Sequence, residues 1–584
     1  MSRPVVIAFF ALIAGVVLAD FLLYDALWLG VPSRRSDWVV TAPWMASVLL
    51  TVVAWFCYRS EEHSSIFSQH TWFPLLTFVF FLVLGFGRYA LAAERQHQAW
   101  AVEGRPVNPG NPDEFDYVRW CWVKGSQTRS NHGDRTEIGR RLLRRMSALG
   151  MEEKTRAVVA AMTLGDRSLL TRDTRELFAD AGASHLLALS GLHLGIIVGL
   201  FLQLMNGRFL CSRWRYVLGV SVLMFAWMYA WLTGMPTSLV RAATMTSLFI
   251  CASLLNRYGD PLQHLLLTGI ILLLVRPMYL FDVGAQLSFL SVAGILLFYR
   301  PLYMWFFDRW RYQIFWLERY WLLWPFTTFA VSLCAQLLTF PLVAFYFHQV
   351  PVYGAVLSIA LIPLTTLFIA LAFTLLVLSV LWPAAASLLS VPLSWIVYAM
   401  MWMMTSVSHW PGAVVKDFWS RKAEPQLVIY NRRSCPALHL IASPSQSWLL
   451  MPEPAKADSG LYYIRRDFWQ RRLTAKPRLL RGSRGFVMGR LRVVMVNHRV
   501  GENAFSADRK AEKTDVVWIT RGFKGGRLGC LTALYVPRLL VLDASLPRWQ
   551  RRALAHEAWR VHWHVYDVAV QGALRVGLSR ELLQ

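Results

Sequence analysis

The sequence predicts a polytopic α-helical membrane protein of about eleven spans that ends in a soluble α/β domain. Of its 584 residues, 56% are hydrophobic and only 16% are charged. Runs of about 20 apolar residues, the length that crosses a bilayer, recur as far as residue 408. From residue 421 onward such runs are absent and basic residues are frequent. This composition excludes an ordinary soluble enzyme.

The eleven predicted spans follow from apolar runs of sufficient length, and their orientation follows from the arginines between them. Arginine-rich short loops near residues 208–215 and 300–319 are expected on the cytoplasmic side, which places the N-terminus inside and the C-terminal domain outside. The predicted spans are 5–30, 39–58, 72–93, 183–205, 217–234, 239–256, 261–276, 283–299, 320–346, 352–382 and 384–408.

Two segments allow further predictions about the membrane part. The run 352–382 contains Pro363 and is either one kinked helix or a half-helix followed by a full one, and the second would reverse the side of the C-terminal domain. The stretch 141–180 alternates basic and apolar residues at helical spacing, which favours helices lying in the plane of the membrane interface.

These patterns divide the chain into four regions. They are N-terminal transmembrane helices (1–94), a short extracytoplasmic segment (95–150), a helical membrane domain (151–410) and an α/β domain (421–584). The last contains strand-like runs such as "QLVIYN", "FVMGRLRVVMV", "DVVWIT" and "RLLVLDA", with helical stretches at 457–472 and 548–558. The seven cysteines of the chain include no CxxC pair, so neither a zinc site nor a disulfide framework is indicated.

The stretch "ASHLLALSGLHLG" places three polar side chains in an apolar helix. On a helical wheel His185, Ser190 and His193 share one arc, while Gly191, Gly195 and Gly199 form a small-residue stripe on the other side. Such a stripe lets a neighbouring helix pack closely. The polar arc either lines an aqueous path or supplies hydrogen bonds between helices, and the sequence alone leaves both open.

Polar insertions recur in the later spans. Arg241 begins a span in "SLVRAATM", Gln286 and Ser288 lie in "GAQLSFLSVAG", Gln336 lies in "CAQLLTFP", and His348 ends a span in "FYFHQVPVYG". Each alone is more typical of a hydrogen bond between helices than of a pore contact. Together they indicate a polar interior.

These stretches resemble the competence domain of the ComEC family of DNA-uptake channels. The resemblance is carried by "TLGDRSLLTRDTRELFADAGASHLLALSGLHLGIIVGL", "VRAATMTSLF", "DVGAQLSFLSVAGILLF" and "AQLLTFPLVAFYFHQVPVYGAVLSIALIPL", and covers residues 150–410. The segment "NPGNPDEFDYVRW" is similar to the one that leads into that domain in the family. The resemblance implies a channel in the cytoplasmic (inner) membrane that passes single-stranded DNA inward during natural transformation.

The resemblance also implies partners and candidate residues. The channel-lining candidates are His185, Ser190, His193, Arg241, Gln286, Ser288, Gln336 and His348. The expected partners are single-stranded DNA, membrane lipid, a DNA-receptor protein on the outer face, a separate nuclease and a cytoplasmic ATP-driven helicase or translocase. The last is expected because the chain contains no Walker A motif.

The sequence departs from the fuller family pattern in two places. The OB domain that often follows the early spans looks missing or vestigial, since "YVRWCWV" is the main strand-like piece available. The last domain resembles a metallo-β-lactamase fold, but the HxHxDH motif expected after "DVVWIT" is replaced by residues 521–525, "RGFKG". We therefore expect a degenerate domain with no metal, no cofactor and no enzymatic activity.

The C-terminal domain contains 29 lysines and arginines against 12 acidic residues, a net charge of +17. Eight basic residues crowd one stretch around Phe468 and Trp469, which could offer stacking surfaces to a nucleic acid. They are Arg465, Arg466, Arg471, Arg472, Lys476, Arg478, Arg481 and Arg484. The alternative is a basic face resting on anionic lipid.

Two other functions remain open at this level. The chain could be a transporter of another solute that uses the same fold, or a membrane-anchored metallo-hydrolase with a divergent metal site.

Overall fold

A computed structural model of the protein shows two compact units. One consists of residues 1–105 and 121–418, the membrane unit, and the other of residues 106–120 and 419–584, the tail unit. The structure describes residues 3–23, 72–103, most of 106–125, 137–187, most of 189–199, 212–255, 260–310, 320–416, 423–452, most of 461–480, 485–488, 491–497, 512–523 and nearly all of 528–578.

The described part of the membrane unit is helical. Its helices are α1 (Arg3–Leu23), α2 (Trp72–Glu103), α3 (Tyr117–Lys124, begun in the tail unit), α4 (Glu137–Ala148), α5 (Glu153–Leu164), α6 (Arg172–Asp180), α7 (Ser184–Leu187), α8 (Ser212–Leu232), α9 (Thr237–Leu254), α10 (Pro261–Val275), α11 (Val283–Trp310), α12 (Tyr320–Phe347), α13 (Gly354–Leu381) and α14 (Pro383–Ser408). A further helical stretch runs through 191–199.

Six described helices are long and apolar enough to cross a membrane. They are Thr77–Trp100, Thr237–Leu254, Val283–Phe306, Trp324–Phe347, Gly354–Leu381 and Pro383–Ser408. Shorter apolar helices at Val5–Phe21, Tyr216–Leu232 and Pro261–Val275 coincide with three more predicted spans. The predicted span 39–58 lies outside the described residues, so the membrane class is supported and the count of eleven stays a prediction.

The run around Pro363 forms one continuous helix, α13, rather than a half-helix followed by a full one. Proline removes a single hydrogen-bond donor, and 28 consecutive apolar-rich residues supply enough packing to continue the helix past it. Of the two alternatives, the structure therefore adopts the single helix.

Helix α5 lies inside the membrane unit, which contradicts the prediction of an interfacial helix for this part of 141–180. Residues 157–163 are all buried, and the helix shares one apolar core with α13 and α14. Its basic residues lie only in its first turns. From residue 157 onward the helix is buried on all sides, so basic and apolar residues no longer alternate there.

The first two long helices cross at a pair of glycines. A Cβ atom added at Gly15 would collide with the carbonyl oxygen of Leu82, and one added at Gly85 would collide with that of Leu12. Any larger residue at either position would therefore force α1 and α2 apart.

The tail unit contains two five-stranded sheets. The first has the order β12-β3-β4-β5-β6, and the second β11-β10-β9-β8-β7, in which β8 to β11 run parallel. The strands are β3 (Gln426–Ile429), β4 (Leu438–Ser443), β5 (Gln446–Leu450), β6 (Arg478–Leu480), β7 (Gly485–Met488), β8 (Leu491–Val496), β9 (Glu512–Ile519), β10 (Tyr535–Leu542), β11 (Val565–Asp567) and β12 (Leu574–Gly577). A separate pair, β1 (Gln349–Pro351) and β2 (Val414–Lys416), belongs to the membrane unit.

The two sheets of the tail unit face each other across one apolar core. Leu427 and Leu440 of the first sheet join Val493, Trp518 and Val541 of the second in this core. Helices cover the outer faces: residues 461–469 lie on the first sheet, and α15 (Gly529–Thr532) and α16 (Arg548–Arg560) lie on the second. The result is a four-layer arrangement, helix, sheet, sheet, helix, and a short helix α17 (Val568–Gln571) follows β11.

Three local expectations for this region differ from the structure. "FVMGRLRVVMV" forms two antiparallel strands, β7 and β8, rather than one. The described part of the stretch 457–472 is helical, as expected, but it is a π-helical turn at Arg465–Trp469. "YVRWCWV" is a helix, α3, because Asp116 caps the N–H of Arg119 and tertiary packing buries Cys121, Trp122 and Val123.

Residues 106–120, which we call the strap, fold with the C-terminal domain. Asn111 is buried, and its side-chain oxygen accepts the N–H of Asn431 at 2.8 Å. Arg472 donates to both carboxylate oxygens of Asp113, at 2.7 and 3.0 Å. Arg575 donates to the Gly110 carbonyl at 3.0 Å. The strap is therefore part of the tail unit.

A buried histidine sits on the first sheet of the tail unit. His439 is fully buried, its Nδ1 lies 2.7 Å from the Tyr430 hydroxyl, and that hydroxyl accepts the indole N–H of Trp469. Burial lowers the pKa of His439 to about 3. Because the folded pKa lies below the unfolded value of 6.5, this site contributes stability above pH 6.5 and loses it as the pH falls toward 3.

We expect acid to destabilise the tail unit through His439. Relative to a His439→Gln variant, which keeps a polar group beside Tyr430 but does not titrate, the native chain should lose roughly 2 kcal/mol of unfolding free energy between pH 6.5 and pH 5. Pulse proteolysis of the detergent-solubilised chain in urea measures this difference. Asp543, whose pKa is raised by burial, contributes equally to both chains. A pH-independent difference would contradict the assignment.

The ion pair between the strap and the tail can be tested by charge exchange. Asp113→Arg should place two cations together and release the strap, at a cost of about 1–2 kcal/mol, and Asp113→Arg with Arg472→Asp should restore the contact. Protease cleavage within 106–120 reports the outcome. Cleavage that is equally fast in the single and double variants would show that the pair does not hold the strap.

Candidate functional site

The predicted helix that carries the three polar residues is not continuous, because it is interrupted between His185 and His193. Helix α7 ends at Leu187, Leu189 is not helical, and helix resumes at 191. His185 is exposed with its Nδ1 3.1 Å from the Gly182 carbonyl, whereas His193 is completely buried. A continuous wheel is therefore the wrong geometry for this segment, and the two histidines occupy different environments. Ser190 lies outside the described residues.

Side chains from two other landmark stretches satisfy the backbone at this break. Arg167 of "TLGDR" donates to the Leu187 carbonyl at 3.3 Å, and Ser238 of "TSLVR" donates its hydroxyl to the Leu189 carbonyl. Gly165 lies close to Leu189, since a Cβ atom added at Gly165 would lie 2.7 Å from the Leu189 side chain. Unpaired carbonyls are costly inside a membrane, so these bonds stabilise the interruption.

The glycine stripe makes a close contact at its first member. A Cβ atom added at Gly191 would lie 3.2 Å from the Ala242 side chain and 3.4 Å from the Arg241 Nη2 of α9. At Gly195 and Gly199 no described atom lies within 4 Å of such a Cβ. The close helix approach in the described structure is thus at Gly191.

Three buried polar groups in this region lack partners among the described residues. Both ring nitrogens of His193, the Nε and Nη1 of Arg241 and the Oε1 of Gln286 form no hydrogen bond there. Their residues are 0%, 4% and 7% exposed. The Arg241 guanidinium lies over the ring of Phe289, 5.6 Å from the centroid, and the Gln286 amide donates to the Leu280 carbonyl at 2.7 Å.

A small cavity adjoins two of these groups. It has a volume of about 110 Å³ and is lined by Arg241 and Gln286 together with apolar residues of α1, α10 and α11, such as Phe9, Leu265 and Phe289. Its walls supply no acidic side chain to the guanidinium. An unpaired cation in such surroundings costs several kcal/mol, so the site is chemically suited to an anion.

Of the remaining channel candidates, the described contacts place only Gln336 against another landmark stretch. Gly182 lies against Pro351, and Gly354 lies 3.3 Å from the Nε2 of Gln336, as measured from an added Cβ. His348, at the junction of α12 and β1, has a positive φ of 52°. Ser288 is half-buried, one turn before Ser291, whose hydroxyl donates to the Ser288 carbonyl at 3.0 Å. The structure thus brings Gln336 together with the loop before α7, apart from the Arg241 cavity.

In a metallo-β-lactamase fold, metal ligands are expected at the carboxyl ends of the parallel strands. Thr520 is buried, Phe523 is part of the apolar core, and Lys524 and Gly525 lie outside the described residues. Asp543 accepts the Trp518 indole N–H and the Ser545 N–H, and burial raises its pKa to about 6. In the described part of the chain no three His, Cys, Asp or Glu residues could hold a metal ion, so these donors do not fit one.

The predicted basic cluster of the tail is only partly described. Lys476 and Arg478 are exposed, Arg465 is half-buried, and Arg472 pairs with Asp113. Arg471, Arg481 and Arg484 and the side chain of Arg466 lie outside the described residues. Phe468 is 3% exposed and Trp469 bonds to Tyr430, so the idea that these two rings offer stacking surfaces is wrong.

Arg167, Ser238 and the strap residue Asp113 were not identified from the sequence as site residues. Arg167 and Asp113 lie in stretches that carry the family resemblance, "TLGDR" and "NPGNPDEFDY", and Ser238 lies two residues before the stretch "VRAATMTSLF". Their partners are 20, 49 and 359 positions away, and a sequence pattern does not reveal such pairings.

Comparison with known proteins agrees with these landmarks. A family model described as "Competence protein" matches residues 162–430, and one described as "ComEC C-terminal domain" matches residues 427–578. The chain is 30% identical to ComE operon protein 3 of Bacillus subtilis over 210 residues, which are 36% of this chain and 24% of that protein. It is 26% identical to Recombination protein 2 of Haemophilus influenzae, over 35% of this chain and 26% of that protein.

A third relative is the uncharacterized protein YcaI of Escherichia coli, 25% identical over 53% of this chain and 41% of that protein. The matched segments thus span less than half of each of these relatives. No solved structure matches the chain. The two family models adjoin along the sequence and describe successive parts of one kind of protein, and from them we conclude that the chain belongs to the ComEC family of competence proteins.

Proposed function

We propose that this protein is the channel through which single-stranded DNA crosses the cytoplasmic membrane during DNA uptake. The observation that carries the proposal is a pair of buried side chains at the point where the landmark stretches meet. They are Arg241 and His193, and among the described residues the Nε and Nη1 of Arg241 and both ring nitrogens of His193 have no hydrogen-bond partner. The family model described as "Competence protein" and the relative named Recombination protein 2 support the same class of function.

The chemistry of Arg241 fits a nucleic-acid backbone. A guanidinium offers forked donors that match phosphate oxygens, and Nε and Nη1 are both without a partner in the described structure. Retaining an unpaired arginine among helices is costly, so its presence favours a role with an anion that arrives from outside the chain. His193, with two unbonded ring nitrogens, adds a second group that can donate to phosphate or base.

Passage requires the helices around Arg241 to separate. The cavity of about 110 Å³ holds only a few water molecules and is too small for a strand. The helix is interrupted at Leu189, where Arg167 and Ser238 donate to the Leu187 and Leu189 carbonyls, and this irregular backbone can change shape more easily than a continuous helix. We therefore assign the described structure to a closed state of the channel.

The strap supports an extracytoplasmic position for the C-terminal domain. Because residues 106–120 and 419–584 fold as one unit, both lie on the same side of the membrane. The chain between them must then cross an even number of times, and the eight predicted spans from 183–205 to 384–408 satisfy this requirement. With a cytoplasmic N-terminus and three spans before the strap, that side is the outer one.

The tail unit is not a nuclease in this proposal. The donors at the carboxyl ends of β9 and β10 do not fit a metal, so a degenerate metallo-β-lactamase-like fold would guide DNA rather than cut it. A separate nuclease would remove the complementary strand, a receptor on the outer face would deliver the DNA, and an ATP-driven helicase or translocase in the cytoplasm would pull it.

Replacing the buried cation should abolish transport without harming the fold. We expect Arg241→Met to lower transformation by roughly a hundredfold, the factor that corresponds to losing about 3 kcal/mol of phosphate binding. The same change should leave thermal stability equal or higher, because it removes an unpaired buried charge. His193→Leu should also block DNA passage while the protein stays in the membrane. Transformation frequency, membrane abundance and melting temperature give the three readouts.

The matched control is His409→Leu, the same substitution at an exposed site at the end of α14. It should transform like the native chain. Normal transformation by either Arg241→Met or His193→Leu, at native abundance, would contradict the assignment. A decrease in transformation that tracks lower abundance would place these residues in folding instead.

Cysteine labelling tests the proposed topology. In a chain whose seven native cysteines are replaced by serine, Tyr117→Cys in the strap and Arg538→Cys on β10 should both react with a membrane-impermeant maleimide added to intact cells. Arg300→Cys, exposed on α11 where the predicted cytoplasmic loop 300–319 begins, should react only after the membrane is opened. Opposite accessibility at 117 and 538 would overturn the common side.

A further inference from the structure

The outer face of α16 exposes two tryptophans. Leu554 and Ala558 on the inner face are buried against the second sheet, whereas Trp549 and Trp559 are 67% and 74% exposed. Tryptophan carries the largest apolar surface of any side chain and rarely stands in water on a helix whose apolar side is already packed. Two such residues on one short helix indicate a surface that binds something flat and aromatic or apolar.

Arginines surround these two rings. Arg548, Arg552 and Arg560 are exposed, and in the described part of the chain none of them has a hydrogen-bond or ion-pair partner. The single acidic residue of α16, Glu557, accepts the backbone N–H of Leu528 and does not neutralise them. The face is therefore cationic as well as aromatic.

Helical geometry places these residues on one strip. At 100° per residue, Trp549, Arg552, His556, Trp559 and Arg560 lie within an arc of about 100°. The two tryptophans are ten residues apart, about 15 Å along the axis, a length that spans several nucleotides of a strand.

We propose that this strip, Trp549 to Arg560, binds single-stranded nucleic acid, with bases stacked on the two indoles and phosphates held by Arg548, Arg552 and Arg560. Alternating aromatic rings and cations are what sequence-independent single-strand binding requires. The inference rests on the proposed DNA-uptake function and assigns the tail unit its contact surface. The strip is separate in sequence from the basic cluster at 465–484.

A membrane surface is the less suitable occupant. Helices that lie in a lipid interface bury a broad, continuous apolar face, and the apolar face of α16 is already used against the sheet. On the outer face Arg552 and His556 lie between the tryptophans and interrupt any apolar patch.

The test uses the full chain in detergent and a fluorescein-labelled 20-nucleotide oligothymidylate, followed by fluorescence anisotropy. Trp549→Ala with Trp559→Ala should weaken binding by roughly tenfold or more, as removal of base stacking does at other single-strand sites. The corresponding double Phe variant keeps two rings and should bind close to the native affinity. Equal affinity of the Ala variant and the native chain would overturn the proposal.

Salt dependence separates the role of the arginines from that of the rings. Arg552→Gln with Arg560→Gln should reduce the slope of log affinity against log salt by about 0.7 for each phosphate that is no longer neutralised. The matched control, Arg492→Gln with Arg538→Gln, removes the same charge from arginines that pair with Glu512 and Asp515 and should leave the slope close to native. An identical decrease in both double variants would mean that net charge, not this strip, binds the strand.

Two further outcomes keep the inference distinct from the proposed function. If all strip variants bind the oligothymidylate with native affinity while Arg241→Met no longer supports transformation, the strip is not the binding surface. The channel proposal would then still stand. The lipid alternative is tested with a Trp559→Cys chain reconstituted in liposomes, in which maleimide labelling of that cysteine is identified by peptide mass. Protection from maleimide only when the oligothymidylate is present supports the strip, and protection by lipid alone would overturn it.

Discussion

The membrane unit depends on one constraint, the need to satisfy backbone carbonyls where a helix is interrupted inside the bilayer. The bonds from Arg167 to Leu187 and from Ser238 to Leu189 meet this need. They also fix the loop before α6 and the start of α9 against the helix that carries His193. Arg241, one turn along α9 from Ser238, is thereby held beside Gly191, and its Nε and Nη1 have no hydrogen-bond partner among the described residues. Thus the bonds that stabilise the interruption also position the unpaired cation.

Much of this architecture could be predicted from the sequence. Apolar runs locate the long helices to within a few residues, as for α14, and alternating apolar residues locate β3, β9 and β10. The prediction that His185, Ser190 and His193 share one arc failed because a helical wheel assumes a continuous helix, whereas Leu189 is not helical. Phe468 and Trp469 look like surface rings among arginines, but a buried Tyr430 accepts the indole N–H and draws that turn into the core.

The tail unit is stabilised by the packing of its two facing sheets and their outer helices. This packing needs only apolar side chains at regular spacing, which the strands supply. At the carboxyl ends of β9 and β10 lie Thr520 and Asp543, and Asp543 bonds to Trp518 and Ser545. The exposed faces of the outer helices take no part in the core packing, so they are available as binding surfaces.

The strap ties an early part of the chain to its last domain. Asp113 and Arg472 are separated by 359 positions, and Arg575 reaches back to Gly110 across 465. During synthesis, the strap is therefore made long before the segments that it binds in the folded tail unit, and the chain between them must be made and inserted first. Closing so long a loop is slow, and it can occur only when both ends have reached the same compartment. The tail unit thus completes its fold last, and its completion requires that every intervening helix has been inserted in the correct orientation.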